Sequence, residues 1–147
     1  MTPPSRGAGQ RGSALVEFAL MSPLLFLIAS GVSDFSRFIT ASNVAASAAA
    51  AGTQYGALSP SNFGDVTGMQ NAAVNDAGNY TGVTAVASQT CACTLGGAAV
   101  SCPATCSNQG ESAETYIKVT VTIPFTPLLP FTPTPASASG TSIVRVQ

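Results

Sequence analysis

Histidine is absent from this 147-residue chain, and charge is scarce. Five Lys and Arg and six Asp and Glu make up 7% of the residues, against about 25% in ordinary globular proteins. Without histidine the commonest general base and the commonest zinc ligand are both gone, which removes most hydrolase and metalloenzyme chemistry. The basic residues Arg6, Arg11, Arg37, Lys118 and Arg145 are scattered, and the formal net charge is −1. That pattern offers no basic patch for nucleic acid. No G-x-S-x-G elbow, phosphate-binding glycine loop or carboxylate pair occurs either. An enzyme is therefore the weakest reading, and no catalytic residue, cofactor or metal is expected. What the chain does hold is 46% hydrophobic residues, with many small Ala, Ser, Thr and Gly positions that let elements approach closely. Its length suits one domain.

Residues 1–12, MTPPSRGAGQRG, read as a flexible polar leader. From Ser13 the character reverses. Between Glu17 and Asp34 residues 18–33 carry no charge, enough for roughly 24 Å of helix at about 1.5 Å per residue. With Ser13 to Val16 added the segment is long enough to cross a bilayer, and the span is placed at 14–33. Two arginines precede it and only Arg37 follows closely, so the positive-inside bias favours a cytoplasmic N-terminus. A cleaved secretory signal ending at Ala29-Ser30-Gly31 is the competing reading. Against it stands Glu17, a costly carboxylate inside an apolar run. Pro23 removes one backbone hydrogen bond and should kink or loosen the helix.

Glu17 is the most informative residue. The run Gly12-Ser13-Ala14-Leu15-Val16-Glu17-Phe18 resembles the processing signature of type IV prepilins. Cleavage after Gly12 would make Ser13 the first residue of the mature chain and Glu17 its fifth. A carboxylate entering an apolar filament core must be neutralised, and the new α-amino group of a neighbouring subunit or of its own chain can do so. The plainer alternative is that Glu17 favours the helix start through the dipole.

The wider stretch RGSALVEFALMSPLLFLIASGVSDFSRFITASNVAASAAAAGTQYGA closely resembles the opening of TadE-like proteins of tight-adherence (Tad) pilus systems. It has the Gly-x-x-x-x-Glu-aromatic signature, a proline in mid-span, Asp34-Phe35 and an Ala-rich continuation. The resemblance extends to YIKVTVTIPF, a Pro-rich link and a final short strand. It implies a minor pilin or pseudopilin, with Glu17 and Phe18 acting in assembly. It also implies a prepilin peptidase, the pilus assembly machinery and other pilin-like subunits or copies of itself as partners. The precursor would sit in the inner membrane and the assembled form in a periplasmic or extracellular pilus. Two alternatives remain open: a bulk filament subunit, and an unprocessed membrane-anchored binding or assembly module.

The fold class expected is α+β, a long pilin-like helix packed against a small antiparallel sheet in a disulfide-braced head. The helix is placed at about Ser13 to Tyr55 within a segment 13–57, with Phe35, Phe38, Ile39, Val44 and Ala48 as its packing positions. The head then occupies 58–147. Ser59-Pro60-Ser61-Asn62 breaks the helix. A second helix runs from Asp65, its N-cap, to about Ala77, with Gly78 beyond its end and Val66, Met69, Ala73 and Val74 on its apolar face. Strands are expected at Val83 to Thr90, Tyr116 to Ile123 and Ser142 to Val146, with another at Ala98 to Ser101. In the central one Ile117, Val119, Val121 and Ile123 share a face.

The cysteines Cys91, Cys93, Cys102 and Cys106 lack the paired C-x-x-C knuckles of zinc sites, and in an oxidising compartment two disulfides are the better reading. A hairpin turning at Gly96-Gly97 favours nested pairs, Cys91 with Cys106 and Cys93 with Cys102. The prolines of IPFTPLLPFTPTP recur with the polyproline II period. They make either a stiff loop packed on the head or a ledge of Phe125, Leu128 and Phe131 for a membrane or partner. Ser137, Ser139, Thr141 and Ser142 read as solvated linker, and Asn79-Tyr80-Thr81 as a chance glycosylation pattern.

Overall fold

The computed structural model describes residues 8–93, 100, 102, 106, 113–128 and 137–146, the first four as backbone only. In chain order they form α1 (Ala8–Ala57), a single 3-10 turn (Pro60–Asn62), α2 (Val66–Ala77), β1 (Thr84–Ala92), β2 (Glu114–Pro124) and β3 (Ser137–Arg145). They divide into two compact units. One holds α1 as far as Arg37 together with the chain from Pro127; the other holds Phe38 to Thr126 and the chain again from Pro133. The architecture is the expected α+β arrangement of a long apolar helix and a small antiparallel sheet.

The second unit is a three-stranded antiparallel sheet in the order β1-β2-β3. Its register sets Ala87 opposite Val119 and Val119 opposite Ser142. Strand alternation puts Ile117, Val119, Val121 and Ile123 of β2 on one face, all fully buried. The C-terminal part of α1 covers that face with Ala45, Ala48 and Ala49, and α2 adds Met69, Ala73 and Ala77.

The large fully buried hydrophobic residues of this core are Met69 of α2 and Ile117, Val119, Val121 and Ile123 of β2, and the ones α1 adds are alanines. A side chain added at Gly140 of β3 would lie 2.3–2.5 Å from backbone atoms of Ala45 and Ala46, so strand and helix touch main chain to main chain. Gly52 and Gly56 are closed in the same way by Val119, Ile117 and Met69. Thr53, buried on the same helix, meets the Ser142 hydroxyl at 2.9 Å.

Asp65 caps α2, accepting the Gly68 amide at 2.9 Å, and Gly78 ends it at φ 59°, a conformation glycine adopts without steric cost. Phe125 packs edge-on against Phe38, ring centroids 5.6 Å apart.

Several expectations need correction. Helix begins at Ala8, inside the stretch read as a flexible leader: adding residues to an existing helix is far easier than nucleating one, and no proline stops it at Gly9 or Gly12. β3 starts at Ser137, so Ser137, Ser139, Thr141 and Ser142 are strand and not linker. Thr141 apart, their side chains favour no strand, and what makes them a strand is pairing with β2. Phe35 and Ile39 are exposed, and Val74 is exposed where Ala77 is buried. Of the expected strand at Ala98 to Ser101 only Val100 is described, bridging Cys91.

The cysteines pair as Cys91–Cys102 and Cys93–Cys106, with Cα separations of 5.4 and 5.5 Å. The expected nested pairing, Cys91–Cys106 and Cys93–Cys102, is not formed. The reason is register. Cys91 and Val100 exchange both backbone hydrogen bonds, at 3.2 and 2.7 Å. This brings Cys102, two residues further on, within reach of Cys91 and leaves Cys106 to Cys93.

Candidate functional site

The residues singled out for processing and assembly lie on the first turns of α1. Ser13 and Glu17 are four residues apart and therefore on one side of the helix. The Ser13 hydroxyl donates to Glu17 Oε1 at 3.2 Å, and both side chains are exposed. Gly12 is exposed and has nothing within 4 Å of where a side chain would begin. Phe18 beside Glu17 is exposed as well.

From here to the end of the apolar run the helix displays large apolar side chains all round: Leu15, Val16, Leu20, Met21, Leu24, Leu25, Phe26, Leu27, Ile28 and Val32 are all exposed. Water would disfavour such a surface over this length, whereas hydrocarbon accepts it. The helix is long and apolar enough to cross a membrane, and its most apolar stretch buries nothing within the chain.

The polar groups of the run are satisfied within the helix, as a lipid environment demands. The Ser30 hydroxyl donates to the Phe26 carbonyl at 2.8 Å and Ser33 to Ala29 at 2.9 Å. At Pro23 the helix continues without interruption. Pro23 has no N–H to give to the Ala19 carbonyl four residues back, and the Ser22 hydroxyl donates to that oxygen instead, at 3.4 Å. The Ser22-Pro23 pair is therefore self-compensating.

The run ends at Asp34, which is 4% exposed. Both of its carboxylate oxygens accept the Leu128 backbone N–H at 2.9 Å, and Oδ1 also meets the Arg37 guanidinium at 3.3 Å. The sequence marks Asp34 as the end of the span and as part of the Asp34-Phe35 element of the resemblance, without indicating a partner. The signal that singles it out is a lone carboxylate at the boundary of an apolar run, where it needs a fixed partner.

In the other unit, Asp65 joins α2 to α1. The Tyr55 hydroxyl donates to Asp65 Oδ2 at 2.9 Å. The Gly68 amide first, and then the Tyr55 hydroxyl, hold the Asp65 carboxyl below its ordinary range. The same hydrogen bond and the Asp65 charge raise the Tyr55 phenol. Tyr116 donates to Glu114, which raises its phenol too, and Arg145 meets Glu114 at 2.7 Å. These are structural clamps at strand and helix ends. All four thiols are consumed in disulfides, which leaves none to ligate zinc.

Ser13 and Glu17 are thus brought together, Gly12 and Phe18 flank them, and Pro23 sits two turns on. The cysteines brace a separate part of the chain. No curated protein and no solved structure matches the sequence. Residues 12–54 match the family model of TadE-like proteins, the family that the N-terminal signature resembles.

Proposed function

We propose that this protein is a pilin-like subunit, a minor pilin or pseudopilin, that takes part in Tad-type pilus assembly and surface adhesion. TadE-like proteins are structural components of Tad pili, and an exposed apolar helix at the N-terminus fits membrane anchoring. In this reading the span at 14–33 inserts in the inner membrane with the N-terminus cytoplasmic. A prepilin peptidase cuts after Gly12. The helix then leaves the lipid for a filament, where it packs against copies of itself or other pilin-like subunits.

The observation that carries the reading is the Ser13–Glu17 pair on a wholly apolar surface. In the uncut chain the Ser13 hydroxyl is the partner of Glu17. After cleavage the Ser13 α-amine, a cation, would lie one helical turn from the carboxylate on the same side. An unpaired carboxylate among apolar helices is strongly disfavoured, and an ion pair with an amine of the same or an adjacent subunit removes the cost. That requirement gives the helix an axial register in the filament.

The test is the mass of the native chain recovered from cells. A mature chain that starts at Ser13 is expected. A native chain that keeps residues 1–12 would refute processing and leave a membrane-anchored assembly module.

A further inference from the structure

The bond between Asp34 and Leu128 has no part in the reading above. Asp34 is the first residue beyond the span at 14–33, level with the membrane surface. A carboxylate there would ordinarily draw its surroundings into water. Here it is buried, with the Leu128 amide on both oxygens and the Arg37 guanidinium on Oδ1. Beside the half-exposed Arg37 side chain, two large apolar side chains are exposed. Phe35 is 66% exposed and Leu128 64%. Leu27, seven residues before Asp34 and so on the same side of the helix, is exposed too. The apolar surface of the span therefore continues past the acid, onto a loop residue nearly a hundred positions away in sequence.

We infer that the Asp34 carboxylate clasps the chain after β2 to α1 so that Leu128 enters the boundary between lipid headgroups and acyl chains. This gives the exported head a second membrane contact. The occupant is the bilayer that the span crosses, because the patch continues the span's own apolar surface and its one carboxylate is withdrawn from it. The inference rests on the reading of 14–33 as a membrane span.

The chain contains no tryptophan, so single tryptophans report position directly. The full chain carrying Leu128→Trp, Leu25→Trp or Ile143→Trp is reconstituted in phosphatidylcholine–phosphatidylglycerol vesicles with lipids brominated high on the acyl chain. Position 25 reports the span. Position 143 reports an exposed apolar residue of the sheet. Tryptophan at 128 is expected to be blue-shifted and quenched several-fold more than at 143. Asp34→Ala added to Leu128→Trp should return it to the level of 143, while Asp34→Asn, which keeps an oxygen for the Leu128 amide, should preserve quenching.

Strong quenching at 25 with none at 128 overturns the lipid contact and leaves the span intact. Absence of quenching at 25 overturns the span reading itself. Quenching at 128 that survives both Asp34 variants overturns the clasp. Shielding at 128 that appears only when protein is crowded, without bromine quenching, assigns the patch to a neighbouring subunit and overturns the lipid assignment.

Discussion

Gly140→Ala tests the main-chain contact between β3 and α1. The added methyl would sit 2.3 Å from the Ala46 nitrogen and 2.4 Å from the Ala45 carbonyl carbon. Both are helix backbone and cannot rotate aside. To restore ordinary contact the helix must withdraw by about 1 Å, a gap that forfeits a quarter to a half of each dispersion contact it opens. The contacts at risk are those of Ala45, Ala48 and Ala49 over Ile117, Val119, Val121 and Ile123, the centre of the core. Overpacking costs about 1–3 kcal/mol, and a backbone obstacle places this case at about 2–3 kcal/mol. For a folded unit of this size that lowers the melting midpoint by roughly 8–20 °C. Tyr55, Tyr80 and Tyr116 all lie in this unit, so tyrosine emission of the detergent-solubilised full chain follows its unfolding. Gly64→Ala is the control, because its methyl meets nothing nearer than the Gln89 side chain at 3.7 Å. A Gly140→Ala protein that melts with the wild type and with Gly64→Ala would refute the close-approach argument.

Glu17→Gln should leave membrane insertion and export unchanged and abolish incorporation into filaments, read by fractionation of cells and sheared pili; normal incorporation would remove Glu17 from assembly. Asp65, whose carboxyl the Gly68 amide and Tyr55 hydroxyl hold low, should stabilise the head above the ordinary aspartate range and lose that contribution as pH falls through its depressed value. The stability difference between wild type and Asp65→Asn, which retains a capping oxygen, should therefore shrink on acidification, and a pH-independent difference would contradict it. Tyr55 and Tyr116, raised by their carboxylate partners, contribute stability that is present at neutral pH and lost as alkaline pH ionises them, which ultraviolet titration alongside unfolding can follow. Replacing Cys93 and Cys106 together by serine should cost about 2–4 kcal/mol and leave Cys91–Cys102 formed, with no free thiol detectable by alkylation.

How much of this was legible in the sequence varies with the kind of signal. α2 was readable to its ends because Asp65 and Gly78 are local caps whose chemistry does not depend on the rest of the fold. β2 was readable because Ile117, Val119, Val121 and Ile123 alternate with polar residues. β3 was read too short because Ser-Ala-Ser-Gly-Thr has no pattern of its own. Its place is set by pairing with β2 and by the need for Gly140 beneath the helix. The disulfide partners depended on a single bridge, Cys91 with Val100, that spacing alone does not determine. At the candidate site Gly12, Ser13, Glu17 and Pro23 form a local motif and were legible as such. The Asp34–Leu128 bond joins positions far apart in the chain, and no local pattern encodes it.

The misreading of the α1 packing face has an instructive cause. Of the expected packing positions Ala48 is buried in the core and Val44 packs against it, whereas Phe35 and Ile39 are exposed, and from Ala41 onward the buried positions are Ala41, Ala45, Ala48, Ala49, Gly52, Thr53 and Gly56. The first half is exposed and the second packs on the sheet. Hydrocarbon rewards large side chains, so the first half carries Leu, Phe and Ile all round. A sheet that already presents Ile and Val leaves room only for small ones, so the second half is built from alanine and glycine, recurring at helical spacing on one side. Hydrophobicity thus marks the face that packs on lipid or other helices, and smallness marks the face that packs on the head. A helix that changes from one to the other near Asp34 binds its head through its second half and leaves the first half available for a membrane or a filament.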